Sequence, residues 1–188
     1  HRDRHDIRRR FHAAGAQSSF GSMTSSTSLP EVLPHGSIEE VLPDVFFVRG
    51  MSRPRFYDMD WQFSRNMTIV RNEGELTLFN TVRLDDAGLD ALERLGRVRN
   101  VVRLVAFHGR DDAFYAARFG AKTFALRGTA DEHGLSHDAL LDDGSALPTG
   151  DGTLLAIASS KMPEGVALLA RAGGVLIAPG KLTDFCPL

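Results

Sequence analysis

The chain has 188 residues, of which 43% are hydrophobic and 24% charged, a composition typical of a soluble globular protein with one domain-sized core rather than two. Its formal net charge of −2 gives no electrostatic reason to expect nucleic acid or an anionic membrane as a partner. A single cysteine, Cys186, excludes an intrachain disulfide and a cysteine metal cluster, which fits a reducing compartment and predicts a cytoplasmic location. No apolar run reaches the ~18–20 residues needed to cross a bilayer.

Residues 1–36 have the composition of a tail. His1–Arg10 is rich in Arg, and the residues that follow are mainly Ala, Gly, Ser and Thr. Such a segment buries too little apolar surface to offset its ordering entropy, so we expect it to be disordered. Two origins stay open: an Arg- and Ser-rich targeting peptide, or cloning-derived or upstream sequence with Met23 as the native start. The folded domain is predicted over residues 37–188.

The first predicted strands are short. They cover residues 38–42 and 45–48, and the turn-forming pair Pro43-Asp44 separates them. Residues 50–64 are irregular and aromatic, and their rings either line the floor of a pocket or anchor the loop to the core.

A β-hairpin and a helix come next. Two alternating apolar segments, 67–71 and 76–80, flank a connection containing Asn and Gly, which predicts the hairpin. A helix capped by Asp85 or Asp86 is then predicted from leucines spaced three apart, and it ends at Gly96.

A strand, a polar turn and a helix follow one another directly at the centre of the chain. Residues 101–107 have the length and β-branched content of a buried strand. His108, Arg110 and Asp112 come immediately after it, and residues 114–119 then read as a helix with one apolar face. In layered α/β folds, ligands and metals bind at the carboxyl ends of strands. This turn is therefore the predicted functional site.

Residues 122–126 form another predicted strand, and the segment 127–152 is polar and rich in glycine. It contains His133 and His137, whose spacing of four places both rings on one face of a helix, as in some metal sites. Gly134 interrupts that helix, and the alternative is a pair of exposed loop histidines. Continuous apolar strands are predicted after this segment, the first over residues 153–158.

The order of these elements and two of their motifs resemble the metallo-β-lactamase superfamily. The hairpin TIVRNEGELTLF, residues 68–79, is similar to the hairpin of that family. The polar turn HGRDDA, residues 108–113, stands where the family carries His-x-His-x-Asp-His. The resemblance implies an α/β (α+β) fold, an αββα sandwich of two mixed sheets with helices outside. In that family further elements follow the last predicted strand, so either the domain is shortened at its C-terminus or the sequence is a fragment.

The resemblance also indicates which metal ligands are lost. The first His and the Asp of the motif are kept, whereas the other two His positions hold Arg110 and Ala113. Aligned on residues 166–168, a later ligand His falls on Lys161, and the metal-bridging Asp falls on Gly180. A zinc site needs three protein ligands and an open position for water. We therefore expect no cofactor, the alternative being zinc or iron held by other ligands.

Loss of the metal leaves the charge of Asp112 to be compensated. Arg110 and Lys161 replace ligands with cations, and either of two roles is consistent with that change. They form a structural ion cluster with Asp112, or they keep a cationic pocket for an anionic ligand, in which Arg grips a carboxylate or phosphate with two hydrogen bonds.

Three functions follow from this sequence. The leading hypothesis is a metal-free pseudoenzyme or binder of a small anionic molecule, with Arg110 and Lys161 as ligand-binding residues. The second is a hydrolase of an ester, lactone or phosphoester that uses His108 and Asp112 as catalytic residues. The third is an interaction domain whose aromatic loop, residues 56–63, contacts a partner.

Overall fold

The computed structural model describes residues 30–129 and 135–179, apart from the side chain of Phe56. A 3-10 turn covers Arg171–Gly173. The strands and helices are, in chain order, β1 (Glu39–Leu42), β2 (Val45–Val48), β3 (Met51–Ser52), β4 (Arg55–Phe56), β5 (Met59–Asp60), β6 (Phe63–Ser64), β7 (Met67–Asn72), β8 (Glu75–Phe79), α1 (Asp86–Leu95), β9 (Arg97–Arg103), α2 (Asp112–Phe119), β10 (Lys122–Leu126), β11 (Ala139–Leu141), β12 (Gly152–Ala156), β13 (Gly165–Leu169) and β14 (Val175–Ile177).

The main sheet has seven strands in the order β1-β2-β7-β8-β9-β10-β11. Its first half is antiparallel: β1 pairs with β2, β2 with β7 and β7 with β8. Its second half is parallel: β9 lies beside β8, β10 beside β9 and β11 beside β10. Parallel neighbours need crossover connections. Helix α1 connects β8 to β9, and α2 connects β9 to β10. The carboxyl end of β9 therefore opens into the turn that leads to α2.

A second sheet of three antiparallel strands, in the order β12-β13-β14, packs against the main one. The layers enclose two cores. One core joins the main sheet to the helices, through side chains such as Leu78, Leu92 and Tyr115. The other joins the two sheets, through side chains such as Phe79 and Leu154. The described residues thus form a layer of helices, a mixed sheet and a second sheet, which confirms the predicted sandwich. The second sheet is antiparallel, however, and not mixed as predicted.

Local sequence explains the elements that were predicted best. The β7–β8 hairpin turns at Glu73 and Gly74, whose φ values of 50° and 78° match a two-residue hairpin turn. Asp85 caps α1, because its carboxylate accepts the backbone N–H of Gly88 at 2.7 Å. Gly120 ends α2 in the left-handed conformation with φ 63°.

The strand predicted over 101–107 is wrong in its bounds, since β9 runs from Arg97 to Arg103. Exposed Arg97 and Arg99 alternate with buried Val98, a half-buried pattern that extends the strand toward its start. The chain leaves the sheet after Arg103 and reaches a φ of 69° at Phe107.

Two other segments contain more regular structure than their sequence predicts. Residues 50–64 form two short ladders, β3 with β6 and β4 with β5, closed by Tyr57 and Asp58 at φ values of 50° and 59°. The polar segment 127–152 contains β11, which pairs with β10 at the sheet edge. Asp138 anchors it by accepting the backbone N–H of Thr123 at 2.7 Å.

The predictions for residues 1–29, His133, Gly180 and Cys186 fall outside the described residues. The domain start at residue 37 stays a prediction, although Glu31 and His35 already contact the domain. Within the described part of the chain, no helix is long and apolar enough to cross a membrane.

Candidate functional site

Two loops meet at the carboxyl end of β9. The backbone N–H of Gly165 donates to the carbonyl of Leu104 at 2.8 Å, and the N–H of Ala106 donates to the carbonyl of Pro163 at 3.3 Å. These bonds join the turn after β9 to the loop between β12 and β13, which carries Lys161. The structure therefore places the turn that carries His108, Arg110 and Asp112 and the loop that carries Lys161 at one edge of the sandwich.

A buried ion pair lies directly beneath this edge. The Nε atom of Arg103, the last residue of β9, is 2.9 Å from Oδ2 of Asp112, the first residue of α2, and neither side chain is exposed (0% and 0%). The hydroxyl of Thr81 donates to the other carboxylate oxygen of Asp112 at 2.5 Å. Both oxygens of Asp112 are thus engaged by protein donors, and the pair fastens the start of α2 to the end of β9.

Gly109 leaves room for this pair. A Cβ atom at Gly109 would lie 2.1 Å from Nη2 and 2.2 Å from Cζ of Arg103. The backbone therefore passes directly over the guanidinium, which only a residue without a side chain permits. The carbonyl of Gly109 also accepts the backbone N–H of Asp112 at 3.2 Å. The glycine of the turn thus has a specific structural role, which is to cover Arg103.

A second acidic side chain of the same turn is also buried and paired. Oδ2 of Asp111 lies 3.4 Å from Nη1 of Arg65, and it accepts the backbone N–H of Arg83 at 3.0 Å. Arg65 also donates to the carbonyl of His108 at 2.7 Å. Burial raises the pKa of Asp111 above its ordinary value, and this effect exceeds the lowering of the pKa by the guanidiniums of Arg65 and Arg110.

Tyr115 and Arg83 complete the packing on the helix side. The hydroxyl of Tyr115 donates to the carbonyl of Val82 at 2.6 Å and accepts the N–H of Leu84 at 3.3 Å. Burial raises the pKa of Tyr115 well above its usual range, so this hydroxyl stays protonated. The guanidinium of Arg83 stacks 3.3 Å above the centre of the Phe114 ring. The loop after β8 is held tightly to α2 by these contacts.

The predicted ligand-binding cations lie nearer the surface. The side chain of Arg110 is 26% exposed, and its Nη1 is 3.2 Å from Oδ1 of Asp111. Its Nη2 donates to the carbonyl of Glu31 at 2.7 Å, so the segment before β1 reaches this turn. Lys161 is exposed in the opposite loop. His108 is half-buried in the turn after β9.

The expectation that Arg110 and Lys161 neutralise Asp112 is corrected by this geometry. Arg103 forms the buried pair with Asp112, and Arg110 pairs instead with the neighbouring Asp111. The physical reason is the position of Arg103. It stands on the strand beneath the turn and is fully buried, whereas Arg110 lies on the turn itself and turns outward.

The residues at this edge do not fit a zinc ion. A catalytic zinc needs three nitrogen, sulfur or oxygen ligands and an open position. Of the positions that the resemblance assigns to ligands, His108 and Asp112 keep suitable donors, and the carboxylate of Asp112 is already bonded to Arg103 and Thr81. Within residues 30–129 and 135–179, no three His, Cys, Asp or Glu side chains come together as a metal-binding group. His137 is half-buried there rather than fully exposed.

Sequence analysis missed the residues that dominate this site, namely Arg65, Thr81, Arg103 and Asp111. One of them left a usable signal. Arg103 interrupts an otherwise apolar run, and a charged residue in a buried strand requires a buried partner of opposite charge. The others gave no comparable signal. Arg65 and Thr81 lie far from the turn in sequence, and Asp111 is one of several adjacent polar residues in the turn.

Two surface grooves lie away from this turn. One, of about 590 Å³, is lined by Glu93, Gly96, Arg97, Val98, Arg118 and Phe119. The other, of about 510 Å³, lies beside the bidentate ion pair of Asp151 with Arg171, whose N–O distances are both 2.8 Å. Both grooves place opposite charges in contact with one another, so neither presents a cluster of one sign.

Solved structures with the same fold identify the architecture as that of the metallo-β-lactamases. DIM-1 metallo-β-lactamase exposed to ceftazidime superimposes with a TM-score of 0.56 and 17% identity, over 74% of this chain and 67% of that chain. A metallo-β-lactamase from Hirschia baltica gives 0.54 and 17%, over 72% and 68%. The metallo-β-lactamase IND-7 gives 0.51 and 13%, over 74% and 68%.

These similarities establish the fold, and at such low identity they establish the fold alone. The chain has the metallo-β-lactamase fold and spans about 67% of the DIM-1 chain. No family profile matches the sequence, and none of the curated proteins matches it. A fold alone does not define a function, which depends on the residues of the site.

Proposed function

We propose that this chain is a metal-independent, non-hydrolytic protein of the metallo-β-lactamase fold that binds a small anionic ligand. The ligand contacts Arg110 and Lys161 at the edge formed by the two loops. The observation that carries the proposal is the buried pair of Arg103 with Asp112. It uses the acidic side chain that the family resemblance assigns to a metal, whereas Arg110 and Lys161 lie nearer the surface.

The cost of separating that pair supports metal independence. A cation bound to Asp112 has to displace the guanidinium of Arg103, which is fully buried. Breaking a buried pair by removing one partner costs about 3–5 kcal/mol, because a charge remains without compensation in a low-dielectric interior. Two ligand positions hold Arg110 and Lys161, whose positive charges repel a metal ion as well. The site is arranged to keep cations out.

The same geometry opposes a hydrolase built on His108 and Asp112. A general base must reach water or substrate within hydrogen-bond distance. The side chain of Asp112 is 0% exposed, and its oxygens accept from Arg103 and Thr81. It therefore holds the backbone in place and does not take a proton from a nucleophile.

The charges at the edge favour an anion. Asp111 and Asp112 are paired with the buried guanidiniums of Arg65 and Arg103 respectively. Arg110, which also pairs with Asp111, and exposed Lys161 add positive charge on loops that are joined by backbone hydrogen bonds. Arginine offers a planar pair of donors to carboxylate or phosphate, and an exposed lysine adds a mobile charge.

Titration calorimetry with inorganic phosphate and with succinate tests this proposal. The variant Arg110→Gln/Lys161→Gln is expected to bind the preferred anion at least about tenfold more weakly, as loss of charge-assisted hydrogen bonds predicts. Lys122→Gln serves as the matched control, because Lys122 is exposed on β10 away from the two loops. Equal affinity in wild type and the double variant would refute the assigned site.

A specific observation also favours an interaction role for residues 50–64. This hairpin segment exposes large apolar side chains, with Tyr57 95%, Met59 53%, Trp61 43% and Phe63 46% accessible. The rings of Trp61 and Phe63 stack at 6.0 Å. Clustered exposed aromatics are typical of protein contacts.

Trp61 is the one tryptophan of the chain, so its fluorescence reports contacts of this hairpin directly. Binding of a partner there is expected to shift the emission of Trp61 to shorter wavelength. The substitution Tyr57→Ser is expected to abolish this binding. An emission spectrum that does not respond to a binding partner would remove the hairpin from the interface.

A further inference from the structure

The turn after β9 holds an aromatic side chain out in solvent. Phe107 is 72% exposed, and its φ of 69° lies in the left-handed region, which is unfavourable for a bulky residue. Hydrogen bonds fix the backbone on both sides of it. The N–H of Ala106 donates to the carbonyl of Pro163 at 3.3 Å, and the carbonyl of His108 accepts from Arg65 at 2.7 Å. Strain that the surroundings hold in place is typical of ligand-binding positions, so Phe107 is a candidate ligand contact.

A second large apolar side chain is exposed on the opposite loop. Met162 is 43% exposed. An antiparallel bridge joins Val105 to Glu164, and the 3.3 Å hydrogen bond between the two loops comes one residue further along each of them. Antiparallel segments run in opposite directions, so the next residue on each loop is Phe107 on one side and Met162 on the other. The two exposed apolar residues therefore follow the last bonded pair, where the loops separate.

Positive charge lies beside this apolar pair. Arg110 comes three residues after Phe107, and Lys161 directly precedes Met162. The contacts of Arg110 described above use two of the five N–H donors of its guanidinium. Lys161 is exposed. Each loop thus carries one cation and one exposed apolar side chain close together in sequence.

Charge beside apolar surface selects the chemistry of the ligand. A small hydrated anion such as phosphate makes no use of Phe107 and Met162, whereas an anion with a hydrocarbon chain removes both from water. Methionine is flexible and fits apolar shapes of many kinds. The nearby carboxylate of Glu164 accepts the hydroxyl of Ser160 at 3.1 Å, so it is engaged within its own loop. The edge is therefore suited to an amphiphilic anion.

We propose that the ligand of this edge is an amphiphilic carboxylate, a single alkyl chain that ends in one carboxylate group. The alkyl chain lies against Phe107 and Met162, and the carboxylate is held by Arg110 and Lys161. A head group with one negative charge suits the edge better than a dianion, because Arg110 already contacts the carboxylate of Asp111. This inference rests on the proposed anion site and names the class of its ligand.

Titration calorimetry with acetate, butyrate, hexanoate and octanoate, each below its micelle-forming concentration, tests the alkyl chain separately from the carboxylate. Each CH₂ group that is fully buried strengthens binding by up to about fourfold, the factor to which its transfer free energy corresponds. Octanoate has four more CH₂ groups than butyrate, so it is expected to bind at least about tenfold more tightly even when the chain is only partly buried.

Substitutions at the edge assign this gain to particular side chains. Phe107→Ser is expected to remove most of the gain and to leave the affinity for butyrate within about twofold of wild type. Met162→Ser should weaken octanoate binding at least about threefold. Leu176→Ser is the matched control, because Leu176 is 56% exposed on β14 of the second sheet, and the affinity for octanoate should not change. Circular dichroism verifies that the three variants fold.

The anion site and its alkyl specificity fail in different ways. Equal affinities across the series, all lost in Arg110→Gln/Lys161→Gln, would overturn the amphiphilic ligand and keep the anion site. Failure of the whole series, of phosphate and of succinate to bind would overturn both.

Two further results would overturn the inference. A gain with chain length that persists in Phe107→Ser and in Met162→Ser would place the alkyl chain elsewhere. Sedimentation with phosphatidylglycerol vesicles, in the absence of any binding of free octanoate, would assign the exposed side chains to a membrane surface instead.

Discussion

Arg103 and Asp112 are joined by an ion pair of 2.9 Å in which both side chains are fully buried. The pair connects the last residue of β9 to the first residue of α2, on either side of the turn that carries His108 and Arg110. A charge pair in this position fixes the shape of the turn. The proposed metal independence of this protein rests on the pair.

Removal of the cation is expected to be strongly destabilising. Arg103→Met leaves Asp112 charged and buried without its partner, which should lower the free energy of unfolding by about 3–5 kcal/mol. Urea denaturation followed by circular dichroism measures the change. The matched control is Arg99→Met on the same strand, because the pair of Arg99 with Glu75 is 43% and 54% exposed. Its loss should cost about 0–1 kcal/mol.

A second variant separates the charge from the packing. Arg103→Met combined with Asp112→Leu removes both charges together, and it is expected to recover a large part of the lost stability. A loss below about 1 kcal/mol for Arg103→Met alone would contradict the assignment of this pair as the support of the turn.

Gly109 should not tolerate a methyl group. In Gly109→Ala the new Cβ meets the Arg103 guanidinium at 2.1–2.2 Å, so the turn or the ion pair must shift. Overpacking of this kind costs about 1–3 kcal/mol. Gly36→Ala is a suitable control, since the nearest atom to its added Cβ is 3.8 Å away. Thermal unfolding of the two variants compares them, and equal melting temperatures would mean that Arg103 moves aside freely.

The pair of Asp151 with Arg171 predicts a pH dependence of stability. Hydrogen bonds from Arg171 hold the pKa of Asp151 below its ordinary value. A lowered pKa contributes stability that is present above the unfolded value and is lost as pH falls through the folded value. Asp151→Asn should therefore be less stable than wild type by about 1–2 kcal/mol near neutral pH.

That difference should shrink as the pH falls below the ordinary aspartate pKa of about 4, because the unfolded wild-type chain then binds a proton that the native carboxylate does not, and it should be lost once the pH has fallen through the lowered pKa of the folded state. Urea denaturation at both pH values provides the measurement. Asp58→Asn is the control near neutral pH, because the Asp58 side chain is fully exposed and its removal should change stability by less than about 0.5 kcal/mol. A difference for Asp151→Asn that stays constant down to the most acidic buffer would rule out the pair as its source.

Local patterns made much of this fold predictable. The β7–β8 hairpin depends on Glu73 and Gly74 at its turn, and α1 depends on the cap at Asp85, so a few adjacent residues specify each element. Short β11 has no such local signal. It forms because Asp138 and Leu141 meet β10, an interaction between residues that lie apart in sequence.

The site was harder to predict than the fold for the same reason. The resemblance pointed to the turn after β9, but the partner of Asp112 is nine residues away and that of Asp111 is 46 residues away at Arg65. Sequence proximity suggested Arg110, which faces outward. Pairing of buried charges is decided by the packing of strands and helices, which no single stretch of residues encodes.

Metal content after equilibration is the most direct test of the central claim. The purified chain is dialysed against trace zinc and iron, and bound metal is measured by elemental mass spectrometry. A site closed by Arg103 and Asp112 should retain less than about a tenth of an equivalent, because fewer than three ligands remain. Retention of nearly one equivalent would contradict the account and make a metal-dependent hydrolase the leading hypothesis.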